Sequence, residues 1–397
     1  MQQHTKISGF AKYKTIFILA FMSSIAPLST DMYLPALGHV RQSFETSEFL
    51  TQLSLASFFI AFALGQLIYG PLSDIFGRKK PLYFGVALFI LSSLGCFLVD
   101  NIYIFILLRF FEALGGCAGV VIARAIVNDL FEVREAAGVF ALMMVVSSVA
   151  PMLSPTFGAL LLDFFSWHSI FATLFILGLA LYLLIIFALK ESSVSIKKEK
   201  LSNRQILKNY ALILKDRAFM VYVLSATLAM SAMFAYITGS SFVFIEFFSL
   251  SSQTYGILFG VNALGFVIFA NINAPLALKF SPEKILPKAF IFIFLFSLLV
   301  FIFGLLENFW LFEISIFFTI AMLGFLLPNT TTLAMARFKE HSGVASAVLG
   351  CIQFGFAGAI SFVVSALNAN NPIWLGSIIC LCCFIGVLVF FLFKAKE

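Results

Sequence analysis

The chain has 397 residues, 61% hydrophobic and only 11% charged, with a mean hydropathy of +1.05 and a formal charge of +6. A soluble domain keeps about a quarter of its residues charged, so a water-soluble globular fold is excluded and lipid must solvate much of the surface. The short alternating segments of a membrane β-barrel are missing, and 52 Phe with only 11 Pro suit long apolar helices.

Apolar runs of about 17 residues or more predict twelve membrane spans, at 15–37, 50–73, 81–99, 102–127, 137–162, 168–189, 217–245, 254–278, 285–306, 309–336, 342–367 and 372–393. The expected fold is an all-α membrane protein with a six-helix half at 1–189, a linker at 190–216 and a second half at 217–397. The first run reads as a span rather than a cleaved leader, because Asp31, Tyr33 and Pro35 fit no small-residue cleavage site.

Lys and Arg set the expected orientation. With the N-terminus inside, 22 of the 25 basic residues fall on the cytoplasmic side. Arg41 alone falls opposite, and Arg109 and Arg124 lie within the fourth span. That asymmetry predicts two cytoplasmic termini, and the basic excess then needs no nucleic-acid partner. The linker is polar and basic, with Ile206, Leu207, Tyr210 and Leu214 at helical spacing. A solvated connector, partly an amphipathic helix on the inner leaflet, is the simpler reading than a regulatory element.

The halves echo one another. Gly70-Pro71-Leu72-Ser73-Asp74 recurs 204 residues later as Ala274-Pro275-Leu276-Ala277-Leu278, and the same offset sets the fourth span on the tenth and Arg109 on Glu313. Parallel six-helix repeats place substrate near the midplane between them.

Three local patterns carry chemistry. In the loop expected after the second span, Gly70, Asp74, Gly77 and Arg78 combine a tight reversal with charges. Asp74 is placed to cap the next helix or take a basic partner, and Arg78 to reach carboxylates such as Asp129. In the fourth span, Arg109 and Glu112 stand three apart on one face, beside a small-residue face of Gly115, Gly116 and Gly119. A charge this deep costs about 2.5–3.5 kcal/mol on insertion scales. In the fifth span, Pro151, Pro155 and Gly158 bend the helix, either as a static kink or as a pivot.

These patterns resemble the major facilitator superfamily. The stretches Leu28-Ser29-Thr30-Asp31-Met32-Tyr33-Leu34-Pro35-Ala36-Leu37 and Ala123-Arg124-Ala125-Ile126-Val127-Asn128-Asp129-Leu130-Phe131, continuing into Arg134-Glu135-Ala136-Ala137, are similar to its Bcr/CflA branch of drug:proton antiporters. Members of that branch export bicyclomycin, phenicols, sulfonamides and related small amphipaths. Departures from the pattern are Asn128 before Asp129, Glu112 where Gln is usual, and the polar Ser154 and Thr156. The resemblance implies a monomer in a bacterial inner membrane whose partners are a small-molecule substrate, protons and the bilayer. It also implies gating by Gly70, Asp74, Gly77, Arg78, Asp129, Pro151, Pro155 and Gly158.

Spans one and four bring Asp31, Arg109 and Glu112 to similar depth if both line the cavity, as the resemblance implies. A carboxylate competed for by a proton and by cargo gives exchange directly, so Asp31 is the expected coupling group, with Glu112 assisting and Arg109 tuning both. Two alternatives stay open: Asp31 as an outer-leaflet residue reaching water, and Glu112 as a mere partner for Arg109. Glu313 reads as interfacial, being close to Glu307 and the surface. Tyr33, Asn262 and Gln353 are candidate substrate contacts, with interhelical hydrogen bonding the competing role for the amides. The six Cys lie in spans without ligand spacing to His, and no Walker loop exists, so no metal, cofactor or ATP drive is expected. No nucleophile–base set points to a membrane enzyme. A facilitator or symporter for a metabolite is the rival transport reading.

Overall fold

A computed structural model describes residues 10–131, 139, 143, 153–189, 191–192, 203–338, 342–368 and 370–393. In chain order the helices are α1 Phe10–Asp31, a 3-10 turn Leu34–Ala36, α2 Leu37–Ser43, α3 Glu48–Phe76, α4 Lys79–Leu98 and α5 Ile102–Leu130. Then come α6 Leu153–Phe164 and α7 His168–Ala188. The connector helix α8 is Asn203–Lys215, followed by α9 Arg217–Ser241 with a π-turn Phe242–Phe247. The chain continues through α10 Ser252–Phe280, α11 Pro282–Leu305, α12 Phe309–Ala336, α13 Ser342–Ala366 and α14 Pro372–Phe393.

Eleven helical stretches among the described residues are long and apolar enough to cross a bilayer. Of the span expected at 137–162, α6 is the continuous described part; Pro151 and the Arg134–Ala137 motif lie outside the described residues. Two boundaries differ from expectation. The first span runs on to Ser43 and is broken after Asp31, where Pro35 offers no N–H and the chain passes through the 3-10 turn. The second span continues through Gly70–Asp74 to Phe76 with Pro71 inside the helix, so the expected loop is helical. The reversal falls on Gly77 alone, at φ +83°. Gly70 is helical, and a Cβ there would meet nothing within 4 Å, so no tight turn or close approach explains it.

The two sets of helices pack alike. In the first, α5 sits against α1, α3 and α4, with α7 on α1 and α4. In the second, α12 sits against α9, α10 and α11, with α14 on α9 and α11. The 204-residue offset recurs in detail. Ser47 caps α3 and Ser251 caps α10, each side chain accepting a backbone N–H of the first turn. Pro71 and Pro275 are both inside helices, and Gly77 and Ser281 both adopt positive φ. The pair Phe58–Arg109 is matched by Asn262–Glu313, and both pairs are in contact.

Between the sets, α3 lies along α13, with Phe62 against Phe354 at 4.4 Å and Phe59 against Phe234 at 4.9 Å. At the end opposite the basic loops, polar contacts bridge the sets. Arg41 pairs with Glu246 at 3.1 Å, Asn370 donates to Glu48 at 3.3 Å, and Gln253 donates to Asp163. A cavity of about 350 Å³ beside the first of these is lined by His39, Gln42, Ser241 and Ser252. At the basic end, ion pairs stay within a set: Arg78–Asp129 in one and Arg337–Asp216 in the other.

Candidate functional site

Arg109 and Glu112 project one turn apart from α5 and are fully buried, with Nη1 2.6 Å from the carboxylate. Nη1 also donates to Ser29 Oγ at 2.8 Å, and Ser93 Oγ donates to the other carboxylate oxygen at 2.9 Å. Nε and Nη2 of Arg109 have no hydrogen-bond partner among the described residues. They are met by aromatic faces instead: the guanidinium lies 4.5 Å from the ring centre of Phe58, 4.9 Å from Tyr33 and 5.6 Å from Phe171. The ion pair is thus neutral in itself and closed on its polar side. Tyr33 is fully buried, its hydroxyl 3.0 Å from Ser54 Oγ.

Asp31 has a different environment. It is 6% exposed, ends α1 at the break, and makes no hydrogen bond or ion pair among the described residues. Next to it, Gly158 of α6 abuts the Met32 carbonyl so closely that a Cβ would overlap it. On the preceding turn of α6, Pro155 and Thr156 abut Gly256 of α10. Asp31 therefore sits where spans one, five and eight converge, within electrostatic reach of Tyr255.

The second set holds its own polar cluster. Asn262 Nδ2 donates to Tyr236 Oη at 2.9 Å and to Glu313 Oε1 at 3.0 Å. Glu313 is 5% exposed, which corrects the interfacial reading. Its position in the second turn of α12 suggested the surface, but Phe244 and Phe248 of the π-turn segment fold over that helix end, against Phe309 and Phe312. Gln353 is half-buried on α13 and is not joined to this cluster.

At the basic end, Arg78 Nε and Nη2 form a fork on Asp129 at 2.8 and 3.2 Å, while Nη1 reaches Asp74 at 2.6 Å and Ser73 at 2.8 Å. Asp74 pairs with Arg78 rather than capping α4. That cap comes from Glu191, whose carboxylate accepts the backbone N–H groups of Arg78 and Lys79 at 3.0 and 3.1 Å. Glu191 went unnoticed in the sequence because it opens a polar linker 113 residues away. Its signal, an acid just after the sixth span, is legible only once α4 and α7 are known to be neighbours.

Buried charge clusters on paired sets of membrane helices, with bridging contacts at one end, define a polytopic helical transporter rather than an enzyme. The model of the Major Facilitator Superfamily matches residues 19–362, and the chain belongs to that family. It is 36% identical to the uncharacterized MFS-type transporter YdgK of Bacillus subtilis over 97% of this chain and 96% of that protein. A bicyclomycin resistance protein homolog of Haemophilus influenzae is 26% identical, covering 96% of each chain. Among solved structures, a D-xylose-proton symporter superposes with a TM-score of 0.75 at 14% identity, covering 97% of this chain and 98% of that one.

Proposed function

We propose that the protein is a proton-coupled exporter of small amphipathic compounds, exchanging drug for protons by alternating access in a bacterial inner membrane, with both termini cytoplasmic. Residues 1–189 and 217–397 are the two moving units, joined by 190–216. The observation that carries this reading is Asp31: a buried carboxyl at a break in span one, with no cation or donor among the described residues holding it in either protonation state. Such a group exchanges a proton whenever access changes. Glu112 assists and Arg109 tunes the site, held to one another as a pair that is neutral in itself. The similarity to a bicyclomycin resistance homolog supports a drug-like cargo, with Asn262 and Gln353 as substrate contacts.

The gating parts fit the same reading. Arg41–Glu246, Glu48–Asn370 and Asp163–Gln253 close the outer end. Gly77, Arg78, Asp74 and Asp129 fasten the inner end of the first unit, and Pro155 and Gly158 lie at the contact of α6 with α10 and α1.

Substrate-driven proton movement in proteoliposomes tests the proposal, with phenicols, bicyclomycin-like compounds and cationic dyes as cargo. Cargo addition is expected to release protons in wild type and not in Asp31→Asn, while binding survives; Glu112→Gln is expected to slow release without abolishing it. Transport without proton movement in wild type would sink the antiport reading and leave a facilitator.

A further inference from the structure

We propose that Glu313, held by Asn262 and Tyr236, is a second proton-binding site, carried by the C-terminal helices; it deepens the antiport reading and rests on it only for coupling to cargo.

The argument begins with what Glu313 lacks. It is the only charged residue of α12. The charged residues of the helices packed on α12 are Arg217 of α9, Lys279 of α10, and Glu283, Lys284 and Lys288 of α11, all in the turns at the basic end. The titratable groups that face it are Tyr236 from α9 and Tyr255 from α10, which also lies within electrostatic reach of Asp31, while Glu246 of the π-turn segment is taken up by its own ion pair with Arg41. None supplies positive charge. An ionised carboxylate buried without a counter-charge is far more costly than a neutral one, so a proton is the available neutraliser.

The repeat sharpens the point. Glu313 occupies the slot of Arg109, and the acid that neutralises Arg109 stands three residues on. The residue three on from Glu313 is Ile316, itself buried at 1% exposure. One slot therefore has its countercharge built in, and the other does not.

Hydrogen bonding leaves one place for the proton. Oε1 accepts from Asn262 Nδ2, which keeps the carboxyl oriented, while among the described residues Oε2 has no partner and neither does Asn262 Oδ1. Around them Tyr236 stacks on Phe259 at 5.4 Å, and Phe244 packs on Tyr236 and Tyr255 at 6.1 and 5.9 Å. These rings surround the carboxyl with apolar faces that offer it no counter-charge. The Ser240 and Tyr255 hydroxyls hydrogen-bond each other at 3.1 Å.

Infrared difference spectroscopy of the full-length protein in lipid, stepped through pH, reads protonated carboxyls directly and without cargo. Glu313→Gln is expected to remove one carboxyl C=O component that Asp31→Asn retains, and Glu313→Asp to shift that component without losing it. In proteoliposomes Glu313→Gln is expected to release one proton fewer per cargo molecule than wild type. An infrared spectrum unchanged by Glu313→Gln, in protein that melts like wild type, overturns the proposal. Should Glu313→Gln fail to fold, the Glu313→Asp shift carries the test, and an unshifted band overturns it. If wild type moves no protons with cargo, the antiport reading falls, while the infrared arm still decides Glu313.

Discussion

Glu112→Leu removes the carboxylate that Arg109 Nη1 contacts at 2.6 Å and leaves the guanidinium in place. Of its five N–H groups, the three on Nε and Nη2 already lack hydrogen bonds, so only Ser29 would remain as a polar partner. Removing one member of a buried ion pair costs about 3–5 kcal/mol, because the other charge is left uncompensated. With an unfolding entropy of about 2.1 cal/mol/K per residue, 397 residues give roughly 0.8 kcal/mol/K, so the melting midpoint should fall by about 4–6 °C. The double variant Arg109→Met/Glu112→Leu replaces the pair by apolar groups of similar bulk, and such replacements are often neutral. It is expected to melt within about 2 °C of wild type by the same conversion. The assay is thermal unfolding in detergent, followed by size-exclusion recovery at each temperature. If the single and double variants lose stability equally, the cost is one of packing and the uncompensated-charge reasoning is wrong.

Three further outcomes are expected. A Cβ on Gly115 would sit 2.5 Å from the backbone of Gly85 and Phe89, whereas one on Gly116 would meet Ala26 Cβ at an ordinary 3.5 Å. Gly115→Ala should therefore cost about 1–3 kcal/mol of stability and Gly116→Ala little; equal melting points would contradict this. Arg337 hydrogen-bonds Asp216 at 2.8 Å through both Nε and Nη2 and holds its carboxyl below the usual carboxylate range. A lowered folded-state value gives stability that is full above the unfolded value of about 3.9 and lost as pH falls through the folded one. The melting difference between wild type and Asp216→Asn should hold from pH 7 to 5 and shrink only below about pH 4; shrinkage already at pH 5 would refute the assignment. Glu246→Lys sets like charges at the end opposite the basic loops, where Arg41 now pairs at 3.1 Å. A cysteine placed at His39, in the adjoining cavity, should then label faster with an impermeant maleimide; an unchanged rate would show that the pair does not hold that end closed.

Much of the fold was legible in the sequence because bilayer thickness fixes span length and basic loops punctuate it. The spans at 309–336 and 372–393 coincide with α12 and α14. Charge spacing also revealed the contacts of Arg109 with Glu112 and of Arg78 with Asp129, since a buried charge needs a partner and few were on offer. Tertiary coverage was not legible. Glu313 lies four residues from the start of its helix, and only the aromatic π-turn segment folded across that end buries it. The break after Asp31 was hidden for a related reason. Apolar residues continue through Leu34–Val40, so hydropathy sees one run where the backbone makes two.

The internal neutrality of the Arg109–Glu112 pair has an electrical consequence. Charge carried across the membrane field exchanges about 2.3 kcal/mol per elementary charge per 100 mV. Two opposite charges locked 2.6 Å apart travel together whenever their helix tilts, and their work terms nearly cancel. Through this pair, therefore, membrane voltage does little net work on the protein. Arg109, fully buried among the described residues, therefore leaves the transporter without a voltage sensor at that position.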